Sequence, residues 1–335
     1  MGLPRVLVIH NEPVLPLDHP EAGAEHDVIE SSGIIATILE EAGYETHSLG
    51  FAHDPRPLLD ELRDRPPAVV FNMFEGIATQ TGTEISVVAL LEWLNVSFTG
   101  CPSAALALGR DKVRTKFLLH GAGIPTPGFQ VVDSTPFQPW RFGWPAIVKP
   151  ALQDCSVGIE QASVVSSPEQ LDRQVRYVLD RYGPPVLIEE FVFGRELLAN
   201  IIEDPGSKLV SIPLAEICFP PHEESGSWPI YSYQAKWNVE SPEFQKTPIQ
   251  SVVRLEPEVE RRVLDISMAA YRLIGLRDCG RVDLRLTEDQ RPFILEVNPN
   301  PYLHSEPIFD GLQALGRTHP QFIIAMVEAA LARRS

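Results

Sequence analysis

Two neighbouring segments near the C-terminal end, residues 280–286 and 293–298, alternate between polar and apolar side chains. Alternation with a period of two residues is typical of β-strands whose two faces meet different surroundings. Residues 287–292 between them are rich in turn-forming types, so the pattern predicts a β-hairpin. The strands then carry Arg281, Asp283 and Arg285 on one face of the first, Ile294, Glu296 and Asn298 on one face of the second, and Phe293, Leu295 and Val297 on its other face.

If the polar faces of these two strands coincide, carboxylate, carboxamide and guanidinium groups meet on one surface of a sheet. Asp283, Glu296 and Asn298 would supply hard oxygen ligands of the kind that Mg²⁺ prefers. Arg281 would add a cation for a phosphate or an oxyanion. The alternative is a solvated sheet face with an incidental ion pair, because exposed faces alternate in the same way.

Strand-like and helix-like segments alternate in the first hundred residues. Apolar runs predict buried strands at residues 5–10 and 68–73, and helical periodicity predicts helices at 31–42 and 84–94. Strands that alternate with helices imply a parallel sheet. Residues 100–102, Gly-Cys-Pro, mark the first boundary.

The rest of the chain mixes helices and strands with loops rich in glycine, proline and small residues. A small-residue loop at residues 154–159 follows a strand that ends in a lysine. The predicted helices lie in a segment ending at 119 and at 168–182, 256–274 and 320–334, and the predicted strands lie at 142–149 and 186–192.

Length and composition are those of a soluble globular protein of two or three domains. The chain has 335 residues, of which 44% are hydrophobic and 22% charged. A net charge of −17 argues against nucleic acid or an anionic membrane as the main partner. The sequence contains neither an apolar run of membrane-spanning length nor a signal-peptide pattern, and its four cysteines have no paired spacing. A reducing cytoplasm fits these features best.

Lys149 ends an apolar strand and is followed by Pro150 and a turn of small residues. Backbone N–H groups of such a turn, beside a lysine, suit the phosphates of a nucleotide. The GxxxxGK[ST] and GxGxxG patterns are both absent from the sequence. Taken alone, a lysine at a strand end is more often a surface residue whose apolar stem is buried.

The segment Glu189, Glu190, Phe191 and Val192 lies at the end of another predicted strand. Its backbone groups and one carboxylate would suit the edge of an adenine ring. The alternative is an edge strand with solvated glutamates.

Nine short motifs, in one order along the chain, make the sequence similar to the ATP-grasp superfamily and, within it, to the D-alanine–D-alanine ligase group. This resemblance covers residues 72–306. The motifs are Asp111-Lys112 with Thr115-Lys116, AGIPTP at 122–127, AIVKP at 146–150, SVGI at 156–159, LIEE at 187–190, GRE at 194–196, YSYQAKW at 231–237, GRVD at 280–283 and LEVNP at 295–299.

The resemblance implies an ATP site with two Mg²⁺ ions, for which Mn²⁺ is the expected substitute. It implies that Lys112 and Lys149, with the turn of Ser156, Val157 and Gly158, hold the ATP phosphates. Glu189, Glu190, Phe191 and Val192 would line the adenine site, Glu196 would bind the ribose, and Asp283, Glu296 and Asn298 would bind the metal. Arg281, Lys236 and Ser156 would be catalytic, with Lys236 carried by a loop that closes over the site.

The resemblance also implies the reaction and the fold. The γ-phosphate of ATP is transferred to a carboxylate, and an amine then displaces phosphate to give an amide. The fold would be an N-terminal parallel-sheet α/β domain (1–100) followed by a central (101–188) and a C-terminal (189–335) ATP-grasp subdomain of α+β type. Two small amino-acid-like molecules are the expected substrates, and the N-terminal domain would provide a surface for a homodimer.

Several positions depart from the pattern of the D-alanine enzymes, and all lie on the amino-acid side. Cys155 stands at the first serine of their Ser-Ser-Val-Gly loop, and Trp237 replaces the tyrosine of their closing loop, near Tyr231. In the D-alanine enzymes, that serine and that tyrosine form a hydrogen-bonded trio with an N-terminal glutamate. Asp27 and Glu30 are the alternative matches to this glutamate. Cysteine bonds weakly and tryptophan only donates, so the trio cannot exist in the same form.

Glu75 replaces the histidine of a His-Gly pair, and Tyr302 stands where a glycine would help the oxyanion. His304, two residues later, is expected to face the substrate or to cap a helix. We therefore predict a ligase with an altered amino-acid pocket. A genuine D-alanine–D-alanine ligase is the nearest alternative, and a non-catalytic nucleotide-binding protein is another. Cys155 as a covalent nucleophile is disfavoured, because the sequence pairs no histidine with it locally.

Overall fold

Three β-sheets, each accompanied by helices, form the described part of the chain. The computed structural model describes residues 4–16, 19, 22–77, 80, 82–204 and 208–333, apart from the side chains of 23–25 and 223. The N-terminal sheet is parallel and the other two are antiparallel. The mixed α/β architecture with a parallel N-terminal sheet is therefore confirmed.

The N-terminal sheet has three strands in the order β2-β1-β3. Its strands and helices are β1 (Arg5–Asn11), α1 (Ala22–Glu41), β2 (Glu45–Phe51), α2 (Arg56–Asp64), β3 (Val69–Met73) and α3 (Thr83–Trp93). The predicted strands and helices are present, although α1 begins at Ala22 rather than at residue 31. No sequence pattern predicts β2, because this edge strand is exposed or half-buried except at Phe51 and so has no apolar run.

The middle sheet is antiparallel, with the strand order β4-β7-β5-β6. The segment that contains it comprises α4 (Ser103–Arg110), α5 (Lys112–Gly121), β4 (Phe129–Val132), β5 (Ala146–Pro150), β6 (Val164–Val165), α6 (Pro168–Tyr182) and β7 (Val186–Glu190). Helix α6 has the predicted bounds because its ends carry strong signals. The Ser167 hydroxyl accepts a hydrogen bond from the Gln170 N–H, and Gly183 follows the helix with a φ of 75°.

The C-terminal sheet has the order β11-β10-β8-β12-β13, with β9 paired to β8. Its strands and helices are β8 (Arg195–Asp204), β9 (Lys208–Ser211), β10 (Leu214–Ile217), α7 (His222–Ser225), α8 (Tyr233–Trp237), α9 (Pro242–Lys246), β11 (Ile249–Val253), α10 (Pro257–Ile274), β12 (Cys279–Leu286), β13 (Pro292–Pro299), α11 (Glu306–Ala314) and α12 (His319–Ala332).

Strands β12 and β13 form the predicted antiparallel hairpin. Arg281 pairs with Asn298, and Asp283 pairs with Glu296. Directly paired residues of an antiparallel ladder lie on the same face of a sheet. The polar faces of the two strands therefore coincide, which is the condition on which the metal-site interpretation of the sequence depends.

A β-bulge follows these pairs and changes the remainder of the hairpin. The register shifts after Asp283, so that Leu284 pairs with Ile294. Ile294 is fully buried in the hydrophobic core, whereas Leu295 lines the cavity described below. The prediction that Ile294 shares the face of Glu296 is wrong, because the extra residue of a bulge reverses the alternation on its strand.

The N-terminal part is attached to the C-terminal sheet through a buried aspartate. Asp278, just before β12, accepts a hydrogen bond from the Gly100 N–H at 2.7 Å and pairs with Arg333 at 2.6 Å. One hydrophobic core also joins side chains of β1 and α3 to β8 and β12. The bounds of the three domains stay a prediction, and residue 188, the predicted end of the second, lies inside β7.

Candidate active site

A cavity of about 480 Å³ lies between the middle sheet, the C-terminal sheet and the end of the N-terminal sheet. Most of the residues singled out in the sequence line it. They are Asp27, Glu75, Lys112, Lys149, Cys155, Ser156, Val157, Glu189, Glu190, Phe191, Val192, Glu196, Tyr231, Lys236, Trp237, Arg281, Asp283, Glu296, Asn298 and Tyr302.

Two lysines hold the buried carboxylate of Glu189 at the strand end of β7. Lys149 on β5 approaches one carboxylate oxygen to 2.8 Å, and Lys116 on α5 approaches the other to 2.6 Å. Lys116 and Glu189 are each 1% exposed. Burial alone would raise the pKa of Glu189, but the two lysine charges outweigh it and lower that pKa. Glu189 is therefore an anion that fixes both lysines.

The carboxylates of Glu190 and Glu196 also accept hydrogen bonds from other parts of the protein. The Glu190 carboxylate accepts hydrogen bonds from the N–H groups of Gly128 at 3.2 Å and Gly143 at 3.0 Å, so it fixes two loop segments beside β4. Glu196 accepts from Nε of Arg285 at 2.9 Å. A ribose bound at Glu196 would share this carboxylate with the arginine.

A chain of alternating charges links α3 to the hairpin. Glu84 pairs with Arg110 at 2.6 Å, and Arg110 reaches Asp154 at 3.3 Å. Asp154 in turn pairs with Lys112 at 2.7 Å, and Lys112 lies 3.4 Å from Glu296. Burial would lower the pKa of Lys112, but the two acidic partners outweigh it and raise that pKa, so Lys112 keeps its positive charge.

The turn after β5 is bonded to the segment that contains α8. Ser156 donates from Oγ to the backbone oxygen of Tyr231 at 2.8 Å, and the Trp237 indole donates to the backbone oxygen of Cys155 at 3.1 Å. Cys155 and Ser156 both have positive φ values, 55° and 63°. These bonds place residues 231–237 against the turn, where the sequence expects a closing loop.

The proposed metal ligands lie together on the hairpin, and their chemistry fits Mg²⁺. The Arg281 guanidinium holds both oxygens of Asp283, at 2.6 and 2.8 Å, and the Asn298 amide donates to Asp283 at 3.0 Å. Among the described residues, no group of three or more His, Cys, Asp or Glu side chains could hold a metal by itself. Two carboxylates and an amide match a Mg²⁺ that takes its other ligands from phosphate and water.

Glu296, the second acidic residue of this set, is held in its ionised form. Its side chain is 34% exposed and faces the cavity. Burial would raise the pKa of Glu296, but the charges of Lys112, Lys149, Arg281 and Lys236 outweigh it and bring the pKa to about 2. At neutral pH the carboxylate is therefore ready to bind a cation.

Three predicted residues do not line the cavity. Glu30 lies on an exposed stretch of α1, whereas Asp27, one turn earlier, faces the cavity, which favours Asp27 of the two alternatives. His304 packs its ring against Phe309 and His319, at centroid distances of 4.7 and 5.7 Å. His304 is therefore not part of the cavity wall, and its expected role, facing the substrate or capping a helix, stays a prediction. The chain turns into α11 there and carries the side chain away from the cavity.

Gly158, the third of them, shapes the turn rather than forming the cavity wall. Its φ is 77°, and a Cβ atom there would lie 2.8 Å from the ring of Pro150. The backbone N–H groups of Val157 and Ile159 are used inside the turn, on the oxygens of Asp154 and Ser156. Gly158 is therefore needed for the backbone path of the turn.

The sequence alone does not indicate several polar residues of the cavity wall, notably Glu84, Arg110 and Asp154, and it places Arg285 on the polar face of the hairpin without a role. Lys116 belongs to a recognised motif but carries no predicted role. Their partners are far away in sequence, for example 89 residues between Arg285 and Glu196. The one available signal is charge within an apolar strand or helix, such as Arg285 in β12, which is 3% exposed.

The two antiparallel sheets bring buried lysines and an acidic hairpin together around one cavity, with Lys112 3.4 Å from Glu296. This arrangement defines a nucleotide-dependent ligase of the ATP-grasp class. The family model described as "D-ala D-ala ligase C-terminus" matches residues 118–328. The chain therefore belongs to the D-alanine–D-alanine ligase family. It is an ATP-dependent ligase that forms C–N bonds and releases ADP.

Relatives of this chain extend over nearly its full length. The uncharacterized protein y4sG of Sinorhizobium fredii is 30% identical, covering 88% of this chain and 86% of that one. The D-alanine–D-alanine ligase of Desulforudis audaxviator is 29% identical, covering 92% and 96%. The crystal structure of the Bacillus anthracis D-alanine–D-alanine ligase complexed with ATP has a TM-score of 0.75 at 19% identity, covering 99% and 98%, which establishes the shared fold.

None of the helices in the described ranges is long and apolar enough to cross a bilayer.

Proposed function

We propose that this chain joins the carboxylate of one amino-acid-like substrate to the amine of another, using MgATP and an acyl-phosphate intermediate, in a pocket altered from that of D-alanine–D-alanine ligases. One observation carries the proposal. The phosphate lysines, the oxygen ligands of the hairpin and the segment of α8 all face a single cavity. We further propose a cytoplasmic location and a homodimer formed through the N-terminal domain.

Acidic side chains of the protein itself position the lysines of the proposed phosphate site. Lys149 is held by Glu189, and Lys112 by Asp154 and Glu296, so neither needs to be ordered when a phosphate arrives. Charges fixed in advance stabilise a developing negative charge without reorganisation in the reaction step. ATP phosphates would take up the remaining donor capacity of these ammonium groups.

Asp283, Glu296 and Asn298 would hold Mg²⁺, with Mn²⁺ as a substitute. When bound, the metal would neutralise phosphate charge and so allow an anionic carboxylate to approach. Arg281, now paired with Asp283, would be released from part of that pairing and could stabilise the oxyanion of the carboxylate substrate.

The α8 segment would exclude water from the reacting groups. Its bonds to the turn, from Ser156 to Tyr231 and from Trp237 to Cys155, bring Lys236 to the cavity. An acyl phosphate is hydrolysed by water, so a closed segment raises the yield of amide. Lys236 would contact the transferred phosphoryl group.

The proposal of an altered pocket depends on the residues that stand where the D-alanine enzymes have their hydrogen-bonded trio. The Trp237 indole N–H is used on the Cys155 backbone, so it is not available to a substrate in this arrangement. Tyr302 lies near Asp27 and Ser31, and burial together with the Asp27 charge raises the pKa of its phenol. The phenol and the indole add bulk where the D-alanine enzymes have smaller groups.

An ADP-release screen tests the proposed function. Single amino acids and pairs, in both enantiomers, are offered with MgATP, and the products are identified by mass spectrometry. Formation of a dipeptide or amide with stoichiometric ADP supports the proposal. D-alanyl-D-alanine as the best product would instead identify a genuine D-alanine–D-alanine ligase, and ATP binding without any ADP release would indicate a nucleotide-binding protein.

Lys149→Ala should raise the KM for ATP and lower kcat much more than Lys208→Ala does. Loss of a charge-assisted hydrogen bond to phosphate costs about 1.5–3 kcal/mol, which is roughly a ten- to hundredfold loss of kcat/KM. Lys208 begins β9 on an exposed surface and serves as the matched lysine control. Steady-state kinetics over a range of ATP concentrations measure both effects. Equal behaviour of the two variants would contradict the phosphate-site assignment.

Lys116→Met should destabilise the protein, because it removes one of the two cations that hold the buried Glu189. Breaking a buried ion pair on one side costs about 3–5 kcal/mol. The free energy of unfolding in urea and the Tm should both fall. Part of the loss should be recovered when Glu189→Gln is added.

Arg176→Met provides the matched control for this prediction. Arg176 pairs with Asp172 at 2.8 Å on the exposed face of α6. Exposed pairs of this kind contribute little to stability. A Lys116→Met variant as stable as Arg176→Met would show that the buried pair has no structural role.

A further inference from the structure

Two carboxylates, those of Asp27 and Glu75, face the cavity on the side away from the ATP lysines. Asp27 lies on α1, and Glu75 follows β3. The Glu75 backbone N–H donates to the side-chain oxygen of Asn11 at 3.1 Å, which fixes the start of its loop. The Glu75 side chain is exposed to the cavity rather than packed into the core.

The Glu75 carboxylate, like that of Asp27, has no fixed cationic partner among the described residues, whereas the remaining acidic groups of the cavity wall have partners. Among the described residues it makes neither an ion pair nor a hydrogen bond. Apart from Asp27, the other acidic groups are paired: Glu84 with Arg110, Asp154 with Lys112, Glu189 with Lys116 and Lys149, Glu190 with two backbone N–H groups, Glu196 with Arg285, Asp283 with Arg281, and Glu296 with Lys112.

The charges around the Glu75 carboxylate are more negative than positive in their effect on it. Desolvation by the surrounding protein and the negative charges of Asp27 and Glu84 raise the pKa of Glu75 to about 7. The positive charges of Lys236 and Arg110 oppose this rise. Arg110 is already shared by Glu84 and Asp154. Lys236, in the proposed function, contacts the transferred phosphoryl group and is then no longer available to Glu75.

We propose that Glu75 is a specificity-determining residue that binds a positively charged side chain of the substrate, so that one substrate is a basic amino acid. This inference rests on the proposed function and names its substrate class. An ammonium or guanidinium group would form a charge-assisted hydrogen bond with Glu75 and supply the missing counter-charge. Asp27 would remain for the α-ammonium group of the same molecule. Two separate carboxylates thus match two separate cations.

The test compares each cationic amino acid with a neutral analogue of similar shape. Lysine is paired with norleucine, ornithine with norvaline, and arginine with citrulline, in both enantiomers. Binding to the full chain is measured by calorimetry in the presence of Mg²⁺ and a non-hydrolysable ATP analogue, and kcat/KM is measured by ADP release. We expect at least one cationic member to exceed its analogue by roughly ten- to hundredfold in both measurements, the range given by a charge-assisted bond.

Glu75→Gln should abolish this preference while the neutral analogue keeps its affinity and its kcat. The KM for ATP should not change. Glu288→Gln, which removes an exposed carboxylate from the hairpin turn, is the matched control and should retain the preference. Equal binding of cationic and neutral members by the unmodified chain would overturn the proposal, as would a preference that persists in Glu75→Gln.

Two further outcomes separate this inference from its neighbours. If Glu75→Gln lowers kcat equally for cationic and neutral amines, Glu75 acts as a proton acceptor and the specificity role is wrong. If no amino acid releases ADP but lysine still binds selectively through Glu75, the proposed ligase reaction fails while the binding inference stands.

Discussion

Glu296→Gln is expected to reduce ADP release by roughly a thousandfold, equivalent to about 4 kcal/mol of transition-state stabilisation. Glutamine keeps the shape of the side chain but removes one of the two anionic ligands from the hairpin. Hard cations bind carboxylate far better than carboxamide oxygen, so Mg²⁺ should bind more weakly. The residual activity should need a higher Mg²⁺ concentration for half-maximal rate, which a titration of the metal would measure.

The same substitution should leave the fold intact. Glu296 faces the cavity and is not part of the hydrophobic core, and its neighbour Lys112 keeps Asp154 as a partner at 2.7 Å. Thermal unfolding of Glu296→Gln should therefore resemble that of the control Glu288→Gln. Unchanged turnover in Glu296→Gln would refute the metal assignment, and a large loss of Tm would show that the loss of activity has a structural cause.

The hairpin that carries this residue was predictable because alternation reports directly on the faces of a strand. The pairs Arg281–Asn298 and Asp283–Glu296 do not follow from that pattern alone, because a ladder continued without a break from the Leu286–Pro292 pair would place Asp283 opposite Leu295. They depend on the bulge after Asp283, which the sequence does not indicate, since residues 293–298 alternate without interruption. The extra residue is visible only when both strands are paired.

The ion pairs of the cavity show a second limit of sequence reasoning. Periodicity places Glu189 at a strand end and Lys116 on a helix, but it does not indicate that they meet. Their contact depends on how α5 packs against the hairpin, where Lys116 also donates to the Ile294 backbone oxygen. The sequence therefore identifies the chemical groups of the site, and only the tertiary packing identifies their partners.

Family motifs were more informative on the ATP side than on the amino-acid side, for a physical reason. Phosphate and metal ligation need few residue types, so the positions of Lys112, Lys149 and Asp283 can be matched directly. A pocket for an amino acid can be built from many side chains, so matching by position fails more often there. His304 shows how few constraints the sequence gives there, since its ring packs against Phe309 and is not part of the cavity wall.

D-alanine is expected to be a poor substrate, by as much as roughly four orders of magnitude in kcat/KM relative to the best amino acid. A site that binds its substrate through hydrogen bonds discriminates by about this factor when the partner groups are absent. Cys155 and Trp237 replace two such groups, and their own contact, 3.1 Å from the indole nitrogen to the Cys155 oxygen, occupies the indole donor. Tyr302 adds an aromatic ring beside them.

The measurement is an ADP-coupled assay with saturating D-alanine, compared with the best amino acid from the screen. The paired substitution Cys155→Ser with Trp237→Tyr restores the groups that the family pattern places there, and it should increase D-alanine self-ligation. Tyr302→Gly, added to that pair, should increase it further if the ring blocks the oxyanion position. Efficient D-alanyl-D-alanine formation by the unmodified chain, with no other amino acid better, would mean that these substitutions are neutral and that the chain is a genuine D-alanine–D-alanine ligase.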